Sequence, residues 1–69
     1  MPIDPSAQVA PTARVHPGAV ICPGVVIGDF AIVEEDVVIG RECVIYPFVH
    51  IYKGARIGDN FKAYARTDK

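Results

Sequence analysis

Ile21-Cys22-Pro23-Gly24-Val25-Val26-Ile27-Gly28-Asp29-Phe30-Ala31-Ile32-Val33-Glu34-Glu35-Asp36-Val37-Val38-Ile39-Gly40-Arg41-Glu42-Cys43-Val44-Ile45 repeats one six-residue phrase four times. Each phrase holds a large aliphatic, a polar or glycine-bearing turn, a small residue and a branched residue, and then the next aliphatic begins. Counting in sixes outward from this stretch reaches Ile3, Val9 and Val15 on one side and Ile51 and Ile57 on the other. A second set follows four residues behind: Ala7, Ala13, Ala19, Val25, Ala31, Val37, Cys43, Val49, Ala55 and Phe61. Of these only Phe61 is bulky, and no charged residue occupies either set. Self-similarity at a fixed short period is the signature of a solenoid.

A helix would place apolar residues at i, i+3, i+4 and i+7. Here the two apolar sets stand two residues apart across each repeat boundary, which is the alternation of a strand. Each hexad therefore predicts a short strand with two inward side chains, then a turn. Pro5, Pro11, Pro17, Pro23 and Pro47 all fall two residues after the large aliphatic and forbid a helix through these points. Pro17-Gly18 and Pro23-Gly24 have the order that a type II turn requires, with positive φ on the glycine. A chain turning every six residues in one sense coils, and three turns close a triangle, so residues eighteen apart stack. The expected fold is an all-β parallel β-helix of just over three coils spanning residues 3–60. An irregular tail or cap is expected over 61–69, because Phe61 is bulky where the pattern wants a small residue and Ala63 is small where it wants a large one.

At 69 residues the chain is one unit at most, and a unit this small is marginal unless disulfides, metal or partner subunits support it. A net charge of −1 with no basic run argues against nucleic acid. No stretch is apolar for the roughly 18 residues of a membrane span, and the opening lacks the basic and apolar regions of a signal peptide. Cytoplasmic localisation is the expectation. Cys22 and Cys43 occupy different hexad positions, which predicts free thiols rather than a disulfide, since a bridge needs Cα atoms within about 7 Å and converging side chains.

The phrases Ile27-Gly28-Asp29-Phe30-Ala31-Ile32 and Ile39-Gly40-Arg41-Glu42-Cys43-Val44 resemble the hexapeptide-repeat acyltransferases. That resemblance implies a left-handed β-helix, a handedness the residue count itself does not give. The opening, Ile3 to Ile21, resembles more narrowly the first coils of the UDP-N-acetylglucosamine acyltransferases of lipid A synthesis. The resemblance implies transfer of an acyl group from acyl carrier protein or a coenzyme A thioester, as co-substrate, to a nucleotide-sugar. It also implies a homotrimer; no bound cofactor is expected. In that family the catalytic histidine lies in later coils, so this segment corresponds to the early scaffold. The alternatives are a non-catalytic β-helix serving oligomerisation, and a sugar O- or N-acetyltransferase of the same fold.

Two histidines are the catalytic candidates. Stacking by eighteen puts His16, Glu34 and Tyr52 in one column, and a histidine beside a carboxylate is the arrangement of an oriented general base. A half-solvated surface histidine is the simpler expectation for His16. His50 alternates outward between Val49 and Ile51, in a column with Arg14, Ile32 and Asp68, where it would line a cleft, bond across an interface or meet solvent. A zinc site like that of the γ-class carbonic anhydrases needs three protein ligands including a close histidine pair, and these two stand nearly two coils apart. Glu34-Glu35-Asp36 reads as a solvated acidic turn. Tyr46 and Tyr64 share one column and Phe30 and Phe48 another with Arg66 beyond, as ladders or interface anchors. Ile32, with Val20, Val26, Val38 and Val44, also points outward and makes apolar stripes, at least one of which a partner subunit should cover.

Overall fold

The computed structural model describes residues 3–64. Ten two-residue strands follow one another at six-residue intervals: β1 (Gln8–Val9), β2 (Arg14–Val15), β3 (Val20–Ile21), β4 (Val26–Ile27), β5 (Ile32–Val33), β6 (Val38–Ile39), β7 (Val44–Ile45), β8 (His50–Ile51), β9 (Arg56–Ile57) and β10 (Lys62–Ala63). They stack into three parallel sheets, β1-β4-β7-β10, β2-β5-β8 and β3-β6-β9, which form the first, second and third faces of a prism. The register is eighteen residues throughout, as in Gln8 opposite Val26, Val26 opposite Val44 and Val44 opposite Lys62. Ile3 adds a single parallel bridge to Ile21 under the third face. The expected parallel β-helix is therefore present. Its ladder runs past the expected boundary at Asn60, because β10 pairs with β7 through Ala63. Residues 65–69 of the expected tail, Arg66 and Asp68 among them, lie outside the described residues.

The inward residues of every strand meet on the prism axis. Ile21, Ile27, Val33, Ile39 and Ile45 are buried, and Ala19, Val25, Ala31, Val37 and Cys43 fill the corners with no exposure. Burying an isoleucine or valine side chain contributes about 1.5–3 kcal/mol. At the ends of the stack Ile3, Val9, Val15 and Ile57 are only partly buried, since among the described residues no further coil covers them. The Cys43 thiol donates to the Gly58 carbonyl at 2.9 Å, and Cys22 and Cys43 are both free. Among the described residues no polar or charged residue is buried.

The turns divide into two kinds. From Gly24 onward the third residue after every large aliphatic has positive φ: Gly24 78°, Phe30 59°, Asp36 60°, Glu42 59°, Phe48 67°, Gly54 81° and Asn60 60°. Ser6, Thr12 and Gly18, at the same position in the first coil, do not share it. That corrects the type II expectation at Pro17-Gly18. The physical reason is local: the Gly18 N–H donates to Nδ1 of His16 at 2.9 Å, and Ala19 N–H closes onto the His16 carbonyl at 2.9 Å. The first turn closes in the same way, with Ser6 N–H donating to Asp4 Oδ2 at 2.8 Å and Ala7 N–H to the Asp4 carbonyl at 2.9 Å. In the later coils the positive-φ residue instead donates downward, as Glu42 does to the Pro23 carbonyl at 3.0 Å and Phe48 to that of Asp29 at 3.0 Å. Over the first coil, side-chain hydroxyls take the carbonyl's place. Gly24 N–H donates to Ser6 Oγ at 3.0 Å and Phe30 N–H to Thr12 Oγ1 at 3.2 Å.

Candidate functional site

The second face carries Arg14, Ile32 and His50 outward, one above another. It is bounded by two corners of different chemistry. One corner, between the second and third faces, stacks His16-Pro17-Gly18, Glu34-Glu35-Asp36 and Tyr52-Lys53-Gly54. An open groove runs along it, lined by Arg14, His16, Ile32, Glu34, Glu35 and Lys53 among others.

Side chains of this corner hold one another across coils. His50 Nε2 lies 2.5 Å from Glu34 Oε2. Glu34 Oε1 accepts the Lys53 backbone N–H at 3.0 Å. Glu35 Oε2 meets Lys53 Nζ at 3.1 Å, and Glu35 Oε1 stands 3.6 Å from His16 Nε2. The hydrogen bond to His50, then that from the Lys53 N–H, holds the Glu34 carboxyl below its ordinary range. Hydrogen bonding to Glu35 holds the Lys53 ammonium above its own. The Tyr52 ring lies on the His50 imidazole with centroids 4.3 Å apart and planes 24° from parallel.

The expected partnership of His16 with Glu34 is thus replaced by two others, His16 with Glu35 and Glu34 with His50. The reason is reach. His50 points outward from β8 and turns toward the corner, so it takes a carboxylate sixteen residues earlier rather than eighteen. His16 uses its Nδ1 to accept the Gly18 N–H, which leaves only Nε2 to face Glu35. Glu35 and Lys53 were missed as site residues, although they are eighteen apart and so stack by the same count that built the prism. Among the described residues no group of three or more His, Cys, Asp or Glu side chains is placed to hold a metal ion.

The corner between the first and second faces is aromatic. Phe30 and Phe48 stack with centroids 5.4 Å apart and planes 13° from parallel, and Tyr46 and Tyr64 stack at 4.5 Å. The two expected ladders are therefore formed. Phe30 remains 55% and Phe48 68% exposed, and Ile32 beside them is 39% exposed. Both phenylalanines occupy the left-handed position, where bulky residues are outliers.

Among the described residues no helix is long and apolar enough to cross a membrane. Neither a curated protein nor a solved structure matches the chain. Residues 36–60, which run from the last residue of the acidic turn through β9 and include His50, match the family described as "Bacterial transferase hexapeptide (six repeats)".

Proposed function

We propose that this chain forms part of a hexapeptide-repeat acyltransferase in which His50, paired with Glu34, is the general base. The pairing of these two side chains at 2.5 Å carries the reading; Glu34 lines the open groove, His50 stands at its side, and His50 lies inside the segment that matches the transferase family. The donor is a thioester of acyl carrier protein or coenzyme A. The acceptor is a hydroxyl or amine of a nucleotide-sugar, with UDP-N-acetylglucosamine the first to try because residues 3–21 resemble the opening coils of enzymes that act on it. The acceptor proton moves to the free ring nitrogen of His50 as the oxygen or nitrogen attacks the thioester carbonyl. A C–O or C–N bond forms, the C–S bond breaks, and the sulfur leaves as a thiol with the proton returned by the imidazolium. Three copies would cover the apolar stripes, with Phe30, Phe48, Tyr46, Tyr64 and Ile32 as contacts.

Thiol release from an acyl thioester, measured with and without acceptor, tests this. His50→Asn is expected to lower the rate by about 10²–10⁴-fold, and an unchanged rate would overturn the assignment. The second reading, a non-catalytic oligomerisation module, is favoured by the exposed Phe30–Phe48 stack. It gains if self-association depends on that stack while no acceptor supports thiol release.

A further inference from the structure

We infer that Glu34 and Tyr52 are positioning residues that fix the His50 ring with its Nε2 proton on the carboxylate, leaving Nδ1 as the one nitrogen able to accept a proton. This rests on the proposed role of His50, but its geometry stands apart from any activity. Both Glu34 oxygens are engaged, Oε2 by His50 and Oε1 by the Lys53 N–H. A carboxylate held at both ends cannot turn away from the ring. Lys53 is itself tethered, its ammonium 3.1 Å from Glu35. Tyr52 covers one flat side of the imidazole at 4.3 Å. A 180° flip of the ring about its Cβ–Cγ bond would put Cε1 where Nε2 now meets the carboxylate, breaking the hydrogen bond, and the ring would have to leave the Tyr52 face on the way. Tyr52 is 67% exposed, so its ring is not there to fill the core. The backbone beneath is fixed, because β8 pairs with β5 in the ladder.

His16 supplies the internal contrast. A neutral imidazole has one donor and one acceptor nitrogen. At His16 the acceptor, Nδ1, is already occupied by the Gly18 N–H, and Nε2 faces Glu35. At His50 the carboxylate claims the donor and leaves the acceptor open. Of two histidines each near a glutamate, only His50 keeps a lone pair for chemistry.

The test is 15N NMR of the histidine side chains at about pH 8.5, two units above the ordinary imidazole value. The expected wild-type result is a single His50 tautomer with the proton on Nε2 and a pyridine-like Nδ1. Glu34→Ala should mix the two tautomers, whereas Glu34→Gln, whose carbonyl still accepts, should retain most of the bias. Tyr52→Phe should preserve the ring's ordered signal and Tyr52→Leu should lose it. A wild-type His50 already mixed, or one indifferent to Glu34→Ala, overturns the inference. Where thiol release is detected, Glu34→Ala and Tyr52→Leu should lower kcat on the order of 10–100-fold with little change in KM. A fixed tautomer without thiol release would sink the transferase reading and leave the positioning intact.

Discussion

Two corners border the second face, and they settle their exposed side chains in opposite ways. The corner of Glu34, Glu35, His16 and Lys53 ties its polar groups to one another across three coils. The corner of Phe30, Phe48, Tyr46 and Tyr64 stacks its rings on one another and leaves Phe30, Phe48 and Tyr64 exposed. The backbone is the same at both, with positive φ at Asp36 and Gly54 in one and at Phe30 and Phe48 in the other. Asp and Gly are at ease there; phenylalanine costs about 1–3 kcal/mol of strain at each position. The polar corner pairs most of its charged groups internally, and the aromatic corner leaves large apolar rings exposed.

The contrast is broken most forcefully under the aromatic corner. A Cβ on Gly28 would lie 2.7 Å from the Pro47 nitrogen and 3.0 Å from the Tyr46 carbonyl carbon, both backbone atoms. Gly28→Ala is therefore expected to destabilise by about 1–3 kcal/mol, read from urea unfolding. Its counterpart Gly18→Ala, where the nearest atom is the His16 ring at 3.3 Å and φ is not positive, should be neutral or slightly stabilising. Equal losses at the two glycines would erase the distinction between the corners. Next in size is Thr12→Val, which removes the acceptor of the Phe30 N–H. A loss of about 0.5–1.5 kcal/mol is expected, and none would mean that water serves that group equally well.

Phe48→Asn sharpens the comparison differently. Asparagine tolerates the left-handed region, so relief of strain should offset most of the lost stacking, worth about 0.5–1.5 kcal/mol. The monomer's stability should change little while self-association in sedimentation falls; unchanged association would remove the aromatic corner from any interface. The smallest effect belongs to the polar corner. The folded-state pKa of Glu34 is lowered from 4.5, so its contribution is fully present above that value and is lost as pH falls through the folded-state pKa. Wild type and Glu34→Gln should therefore differ slightly in thermal midpoint at neutral pH and converge in acid. A difference that persists or grows in acid contradicts the pairing.

Much of this was legible in the residues because a period of six with no charge on the inner positions admits few structures. Eighteen-residue stacking foretold the Phe30–Phe48 and Tyr46–Tyr64 ladders and held Glu35–Lys53 in plain sight. The His50–Glu34 pair was not legible, because it joins a face to a corner and breaks the eighteen-residue count by two. Nor did residue type reveal positive φ at Phe30, Glu42 and Phe48, where each N–H is committed to the turn one coil earlier, at Thr12 Oγ1, the Pro23 carbonyl and the Asp29 carbonyl. The residue pattern ends at Asn60, short of the ladder, because Ala63 is a poor core residue. Backbone pairing to β7 continues regardless of how well the side chain fills its site.

The hydroxyls of Ser6 and Thr12 bear on how such a chain can be cut and rejoined. Because each stands in for a carbonyl beneath Gly24 and Phe30, a first-coil hexad is matched to the particular hexad eighteen residues later. The transferable unit is thus a vertical pair of turns, and a chimera that exchanges single hexads along the chain would sever bonds that an exchange of whole columns would keep.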